Sequence, residues 1–281
     1  MLKKAYLEIT NICNANCDFC PGTKREKRML TREEFSLLAS RLRPYTEYLY
    51  FHLMGEPLVH PLIADFLEIA GEMGFRVIIT TNGMLLGKCG DAIIGKKALH
   101  KVNISLHSFE GGNAHGKLEE YLNSCAEFAK KCAERGTIVS YRLWNLDGED
   151  TVGANDENAF IKDFLIAFHG DWQENSRGVR LADKVFLSYG EKFIWPDMQG
   201  EDCGECGFCY GLRDQVGVLC DGTVVPCCLD HEGDIPLGNL FDETLDEILS
   251  SPAACEIFDG FSQRKKVHKL CQKCGYARRF S

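Results

Sequence analysis

No run of about 18 apolar residues, the length a membrane helix needs, occurs anywhere in the 281 residues. The opening MLKKAYLEIT also lacks the apolar core of a secretory signal. Positive charge is scarce, with 32 Lys and Arg against 41 Asp and Glu, a net charge of −9. That sign disfavours binding to a phosphate backbone, so nucleic acid is not the expected partner. What remains is an expected cytoplasmic chain with room for one large barrel or two modest domains.

Cysteine, by contrast, is abundant, at fifteen residues. Without a signal peptide, thiols in that number point to reduced side chains and metal, because disulfide frameworks belong to oxidising compartments. Cys13, Cys17 and Cys20 stand as Cys-x-x-x-Cys-x-x-Cys directly after the strand-like AYLEIT. Three thiolates are one short of those that close a 4Fe-4S cluster, which leaves one iron open to an external chelator. Zinc, a disulfide or three unrelated thiols are the alternatives. Zinc is disfavoured because its structural sites close with four ligands on paired knuckles.

Strand-like and helix-like segments alternate, which predicts a parallel α/β sheet or barrel with strands at 4–10, 48–54, 75–81, 101–107, 137–144 and 184–188. Thr31 and Glu34 form a capping-box pattern ahead of Phe35, Leu38 and Leu42 at helical spacing. The segment from Lys117 to Arg135 gathers Cys125 and Cys132 on its apolar face, so these are core residues. Within the strands, Tyr6, Glu8 and Thr10 alternate with Leu7 and Ile9. Tyr50, His52 and Met54 do the same in the second strand, Asn103, Ser105 and His107 in the fourth, and Ser140, Arg142 and Trp144 in the fifth. Parallel strands buried on both faces read as continuous apolar runs, so a recurring polar face marks a ligand cavity. A half-exposed antiparallel sheet alternates the same way, but helices between the strands disfavour it.

The cysteine triplet, with Phe19 before its last member, resembles the cluster motif of the radical S-adenosylmethionine (SAM) superfamily. Two further stretches are similar to that family: Met54-Gly55-Glu56-Pro57 after the second strand and Thr81-Asn82-Gly83 after the third. Members often carry a second glycine where Met54 stands. The resemblance implies a partial (β/α)6 TIM-like barrel. It also implies a 4Fe-4S cluster whose open iron chelates SAM, and reductive cleavage to a 5'-deoxyadenosyl radical that takes hydrogen from substrate. It implies too that Gly55, Glu56 and Pro57 hold the SAM amino group, that Thr81 and Asn82 belong to the same site, and that Ser105 and His107 contact its ribose. Barrel chemistry sits at strand C-termini, where Arg142 would clamp the SAM carboxylate or an anionic substrate group, or else form an internal salt bridge. His107 and Arg142 are the tentative catalytic residues, with Glu8 and His52 as further candidates on the polar face. The basic run Lys24 to Arg28 would face an anionic group or solvent, and the acidic stretch from about residue 147 would lie at the barrel mouth.

Near the C-terminus, Cys209 precedes a strand pair turning at Asp221-Gly222, which would return Cys227 towards it. Cys271 and Cys274 add a two-residue knuckle, and together the four thiols would close one 4Fe-4S or zinc site. The pattern resembles the auxiliary-cluster extensions called SPASM and, because no cysteine follows Cys274, their shortened twitch form. Cys203 and Cys206 offer an alternative ligand pair, while Cys228 points away from the set. The expected division is a barrel over residues 1–200 and a small cysteine-rich extension, with a β-hairpin and helix, over 201–281. The expected function is that of an oxygen-sensitive radical SAM oxidoreductase, since twitch enzymes include a dehydrogenase of a secondary alcohol. A second electron would pass to the auxiliary cluster, and flavodoxin or ferredoxin would supply the first. The substrate would be a small molecule or a peptide. A peptide-modifying maturase is the alternative, weakened because the first strand at residue 4 leaves no leader-binding domain ahead of it. A non-catalytic iron-sulfur or zinc carrier is the alternative from another class.

Overall fold

The computed structural model describes residues 1–111, 118–146, 156–175 and 178–280. Most of the acidic stretch expected at the barrel mouth, residues 147–155, lies outside them. Strands and helices alternate through β1 (Lys4–Leu7), α1 (Arg32–Leu42), β2 (Tyr48–Tyr50), α2 (Ile63–Glu72), β3 (Arg76–Thr81), α3 (Leu86–Cys89) and β4 (Leu99–Ser105). There follow α4 (Ser108–Gly111), α5 (Leu118–Glu134), β5 (Ile138–Leu146), α6 (Asp156–His169), β6 (Gln173–Asn175), β7 (Gly178–Ala182) and β8 (Val185–Glu191). The C-terminal part contributes β9 (Gln215–Val218), β10 (Thr223–Val225), β11 (Gly238–Asn239), α7 (Leu245–Leu249), α8 (Pro252–Ser262) and α9 (Lys269–Gln272).

All strands join one sheet in the order β11-β10-β9-β1-β2-β3-β4-β5-β8-β7-β6. Its centre, β1 through β5 and then β8, is parallel throughout and corresponds to the six strands expected. The helices begin where local chemistry says they should. In α1, Thr31 Oγ1 accepts from the Glu34 N–H while the Glu34 carboxylate returns to the Thr31 N–H. This helix buries Phe35, Leu38 and Leu42, and the Phe35 ring stacks on Phe66 of α2 at 4.2 Å. Cys125 and Cys132 of α5 are fully buried in the core, as their helical spacing requires.

Three features depart from the expected pattern. The first two strands end at Leu7 and Tyr50 although their alternation continues to residues 10 and 54. Beyond Leu7 the chain bonds instead to the segment returning from the cysteine loop, with the Leu30 N–H donating to Ile9 and a bridge from Thr10 to Met29. Second, β6 and β7 form an antiparallel extension on β8. Third, β9 pairs in parallel with β1, so the C-terminal strands continue the barrel sheet. The hairpin from β9 to β10 turns where Asp221-Gly222 predicted, with the Thr223 N–H donating to Asp221 Oδ1 at 3.0 Å.

The register confirms which face is which. Tyr6, Tyr50, Ile78 and Lys101 lie side by side, as do Thr80, Asn103 and Ser140, and then Ser105, Arg142 and Ser188. Their alternates Leu7, Leu49, Val77, Ile79, Val102, Ile104, Val139 and Tyr141 are fully buried under the helices. The polar set is therefore the inner face of the curved sheet.

Candidate active site

Cys13, Cys17 and Cys20 occupy the loop that follows β1, with Cys13 and Cys20 exposed and Cys17 half-buried. The loop folds back on itself through the Cys20 N–H to the Cys17 carbonyl, 3.1 Å, and Cys13 Sγ accepts from the Ala15 N–H at 3.4 Å. Burial, with the neighbouring Cys20 and Cys13 sulfurs, pushes the Cys17 thiol up to about 11. Three thiols on one short loop that supplies no fourth fit a cluster with one iron left for an external ligand.

The loops expected beside the triplet are bound to it. Gly55, at φ +77°, passes so close that a Cβ would lie 2.3 Å from the Thr10 carbonyl oxygen, which excludes any side chain. The adjacent Glu56 N–H donates to Ile12 at 2.9 Å. Glu56 is 2 % exposed, and its carboxylate accepts from the Leu58 N–H (3.0 Å), Thr81 Oγ1 (2.7 Å) and the Asn82 N–H (2.8 Å). Those bonds fill about three of a carboxylate's four acceptor positions, so Glu56 is first of all a strut between two loops. Pro57 opens a short 3-10 turn, Pro57–Val59. Asn82 reaches the cysteine loop, donating from Nδ2 to Asn14 Oδ1 at 2.9 Å with Cys13 Sγ 4.0 Å away. The Tyr121 hydroxyl holds the Asn82 carbonyl at 2.7 Å.

At the barrel rim, the Phe19 ring rests on His107 with centroids 4.8 Å apart. His107 Nδ1 lies 3.1 Å from the Arg142 carbonyl, and burial pulls its pKa down to about 4, so the ring is neutral. Ser105 is half-buried beside Arg142. The Arg142 guanidinium lies 4.4 Å over the Trp144 ring, and burial lowers its pKa to about 10. Deeper in the lumen, Tyr6, Tyr50 and His52 form a three-ring cluster with centroids 4.9 to 5.6 Å apart. Lys4 Nζ sits 5.1 and 5.2 Å over the two tyrosines.

Two expected contributors serve elsewhere. Glu8 is fully buried, and its carboxylate accepts from both Arg25 Nη atoms (2.9 and 2.6 Å), the Met54 N–H (3.1 Å) and the Cys220 N–H (3.1 Å). It ties the cysteine loop, the glycine loop and the C-terminal hairpin together and has no capacity left for a ligand. The basic run is likewise engaged, with Arg25 on Glu8, Arg28 on Glu34 and Lys27 directed at the Asn11 carbonyl.

The four C-terminal thiols meet. Cys209, Cys227, Cys271 and Cys274 line one cavity enclosing about 430 Å³ free of protein atoms, part of it open to solvent, with Pro196, Leu229, Phe261 and Ala277 among its walls. Burial, and then Cys209 and the other neighbouring sulfurs, raise the Cys227 and Cys271 thiols well above the ordinary range. Lys266, 3 % exposed, donates from Nζ to the Cys203 carbonyl at 3.1 Å and places its charge beside the cavity. Four thiols around one cavity fit a fully ligated cluster. Among the described residues, no three Cys, His, Asp or Glu side chains converge on a point close enough to hold a single metal ion. Cys203 and Cys206 are outside the cavity lining, and Cys228 turns to the opposite side, packing on the Tyr6, Leu53 and Val225 cluster.

Sequence reasoning missed Asn14, Lys266, Lys4 and Lys101. The last two carried a signal, since period-two alternation puts Lys4 with Tyr6 and Lys101 with Asn103. Asn14 and Lys266 carried none, because only the fold brings them to their sites.

Comparison with known proteins agrees with this geometry. Residues 209–275 match an iron-sulfur cluster-binding domain, SPASM. A cofactor-modifying protein for tungsten-containing aldehyde ferredoxin oxidoreductase from Pyrococcus furiosus is 34 % identical over 89 residues, 30 % of this chain and 25 % of that one. A probable GTP 3',8-cyclase from Sulfolobus acidocaldarius is 30 % identical over 155 residues, 50 % of this chain and 47 % of that one. These matches span only a quarter to about half of the curated relatives' length. Among solved structures, BtrN in complex with SAM and 2-DOIA aligns with 98 % of this chain and 93 % of its own at TM-score 0.55 and 18 % identity. Streptococcus suis SuiB bound to SAM aligns with 98 % of this chain and 72 % of its own at TM-score 0.64 and 16 % identity. No helix among the described residues is long and apolar enough to cross a membrane. With residues 7–151 matching the family directly, the chain belongs to the radical SAM superfamily, whose enzymes use a 4Fe-4S cluster and SAM, joined in this chain by an auxiliary cluster domain.

Proposed function

We propose that the protein is an oxidoreductase that removes a hydrogen atom and then an electron from its substrate, with a proton released to solvent, dehydrogenating it. When bound, the SAM-chelating cluster supplies a carbon-centred radical, and the auxiliary cluster supplies an electron acceptor. Cys13, Cys17 and Cys20 hold the first cluster and Cys209, Cys227, Cys271 and Cys274 the second. Gly55, Glu56, Pro57, Thr81 and Asn82 shape the SAM seat, with Phe19, Ser105 and His107 along its rim. Arg142 orients the reacting groups. The carrying observation is the parallel pairing of β9 with β1, which seats the four-thiol cavity against the barrel wall. Cys227 lines the cavity, while its neighbour Cys228 packs on lumen residue Tyr6. An electron leaving the lumen therefore has a short route to the cavity.

In this reading residues 1–200 act as the barrel and 201–281 as the auxiliary unit. The enzyme works in the cytoplasm on a small molecule, with reducing electrons from a flavodoxin or ferredoxin. Peptide modification is the second reading, supported by the fold likeness to SuiB, one structure of which holds its precursor peptide SuiA. A non-catalytic carrier would need neither the loops around Cys13 nor a polar lumen. The test is anaerobic reconstitution followed by reductant and SAM. About eight irons per chain and formation of 5'-deoxyadenosine are expected. A protein that binds both clusters and never forms 5'-deoxyadenosine overturns the reading.

A further inference from the structure

Some of the 32 lysines and arginines have an acidic partner. Lys3 pairs with Asp214, Arg25 with Glu8, Arg28 with Glu34, Arg32 with Asp65, Lys96 with Glu68, Lys131 with Asp91 and Lys162 with Glu174. Such pairing is easy in a chain carrying nine excess negative charges. Three cations of the lumen have no such partner although they are partly buried. Lys4, Lys101 and Arg142 are each half-buried on the inner face, and among the described residues none forms an ion pair. Their only close partners of note are aromatic: Tyr6 and Tyr50 for Lys4, Trp144 for Arg142. Two carboxylates that bear on this region are spent, Glu8 on Arg25 and Asp214 on Lys3. The cations also oppose one another, for Arg142 adds to burial in lowering the pKa of both lysines.

A second observation comes from the same wall. Asn103, 1 % exposed, leaves its Oδ1 without a hydrogen-bond partner, and buried His52 Nδ1 is also unpartnered. Their other polar atoms are joined through Thr80, with Asn103 Nδ2 3.2 Å and His52 Nε2 3.5 Å from its hydroxyl. A buried polar atom without a partner is costly, and a native fold tolerates it where a ligand makes the bond. The single carboxylate of SAM, offset by its sulfonium and amino group, cannot answer all three cations.

We propose that the lumen binds a substrate bearing an oxyanion, carboxylate or phosphate, held by Lys4, Lys101 and Arg142, with a hydroxyl or amino group donating to Asn103 Oδ1. This rests on the lumen being the substrate site of the proposed function and narrows the substrate to small polar anions. Charge-assisted bonds to a desolvated oxyanion explain why the cations were left without internal partners.

The test uses the cluster-reconstituted protein at constant ionic strength, titrated calorimetrically with pyrophosphate in one arm and succinate in the other. Saturable binding of one of them is expected, and the arm that binds names the oxyanion. Lys101→Met and Lys4→Met should each weaken it about tenfold, by loss of one charge-assisted contact. Lys101→Arg should retain binding, and Lys131→Met, an exposed pair member, should not alter it. Iron content and far-UV circular dichroism identify any variant that has failed to fold, for which Lys101→Arg against wild type remains the comparison. No saturable binding in either arm, or binding by both Met variants as tight as by the wild type, overturns the proposal and leaves the cations as counter-charge to the clusters. Formation of 5'-deoxyadenosine by the wild type is measured separately: cleavage without anion binding removes only this inference, and anion binding without cleavage removes only the proposed function.

Discussion

Cys13, Cys17 and Cys20 come from eight consecutive residues and stay open to solvent, whereas Cys209, Cys227, Cys271 and Cys274 come from 66 residues and close around a cavity. The first arrangement keeps a place for an external ligand. The second admits none, and a buried ammonium, Lys266, stands at its wall where a cluster would gain negative charge on reduction. One fold thus builds an open site from local sequence and a closed one from long-range pairing. The closed site lies beside strands continuous with the barrel, because β9 joins the barrel edge.

The sharpest way to break this contrast is chemical. Replacing Cys13, Cys17 and Cys20 by alanine should abolish 5'-deoxyadenosine formation and reduce iron from about eight to about four per chain, as read by chromatography and iron analysis. Replacing Cys271 and Cys274 should remove a similar amount of iron and eliminate oxidised product, yet depress 5'-deoxyadenosine far less. Equal loss of both compounds would show that the two sites do not divide the labour.

The seam between the regions is open to a stability measurement. Glu8 is the one carboxylate that binds the cysteine loop through Arg25, the glycine loop through Met54 and the C-terminal hairpin through Cys220. Glu8→Gln leaves Arg25 buried without its counter-charge, so a loss of about 3–5 kcal/mol is expected in denaturant unfolding. A loss below about 1 kcal/mol would mean that the hairpin docks independently of this contact.

The smallest effect is a pH dependence. Burial lowers the pKa of His107 to about 4 and of His52 to about 3, while an unfolded chain protonates histidine near 6.5. The stability tied to the neutral rings is full above pH 6.5 and is lost as pH falls from there towards 4 and 3. The slope reaches at most about 1.4 kcal/mol per pH unit for each ring. Unfolding midpoints of wild type and His52→Gln measured from pH 7 to 5 should converge as the solution becomes more acidic; parallel curves would assign the slope to other groups.

How far such sites can be read from sequence depends on how far apart their parts lie. Thr31 with Glu34, the triplet at 13, 17 and 20, Gly55 and Asp221-Gly222 all act on neighbours within a few residues, so their chemistry is visible in a line of text. The alternation of Tyr50 with Leu49 and of Ser140 with Val139 also showed a polar lumen, because side-chain direction follows backbone period. Alternation says nothing of partners, however. Glu8 shared a face with Tyr6 and looked available, and only the return of Arg25 after the cysteine loop showed that it was taken.

The residue order by itself determined the cysteine loop after β1 and the six parallel strands, since spacing, capping and period act locally. The tertiary structure alone decided that β9 would lie beside β1, that four scattered cysteines would share one cavity, and that Lys4, Lys101 and Arg142 would face each other without an acid between them. Those outcomes come from chain closure over tens to hundreds of residues, where sheet pairing and burial, rather than neighbouring residues, choose the partner.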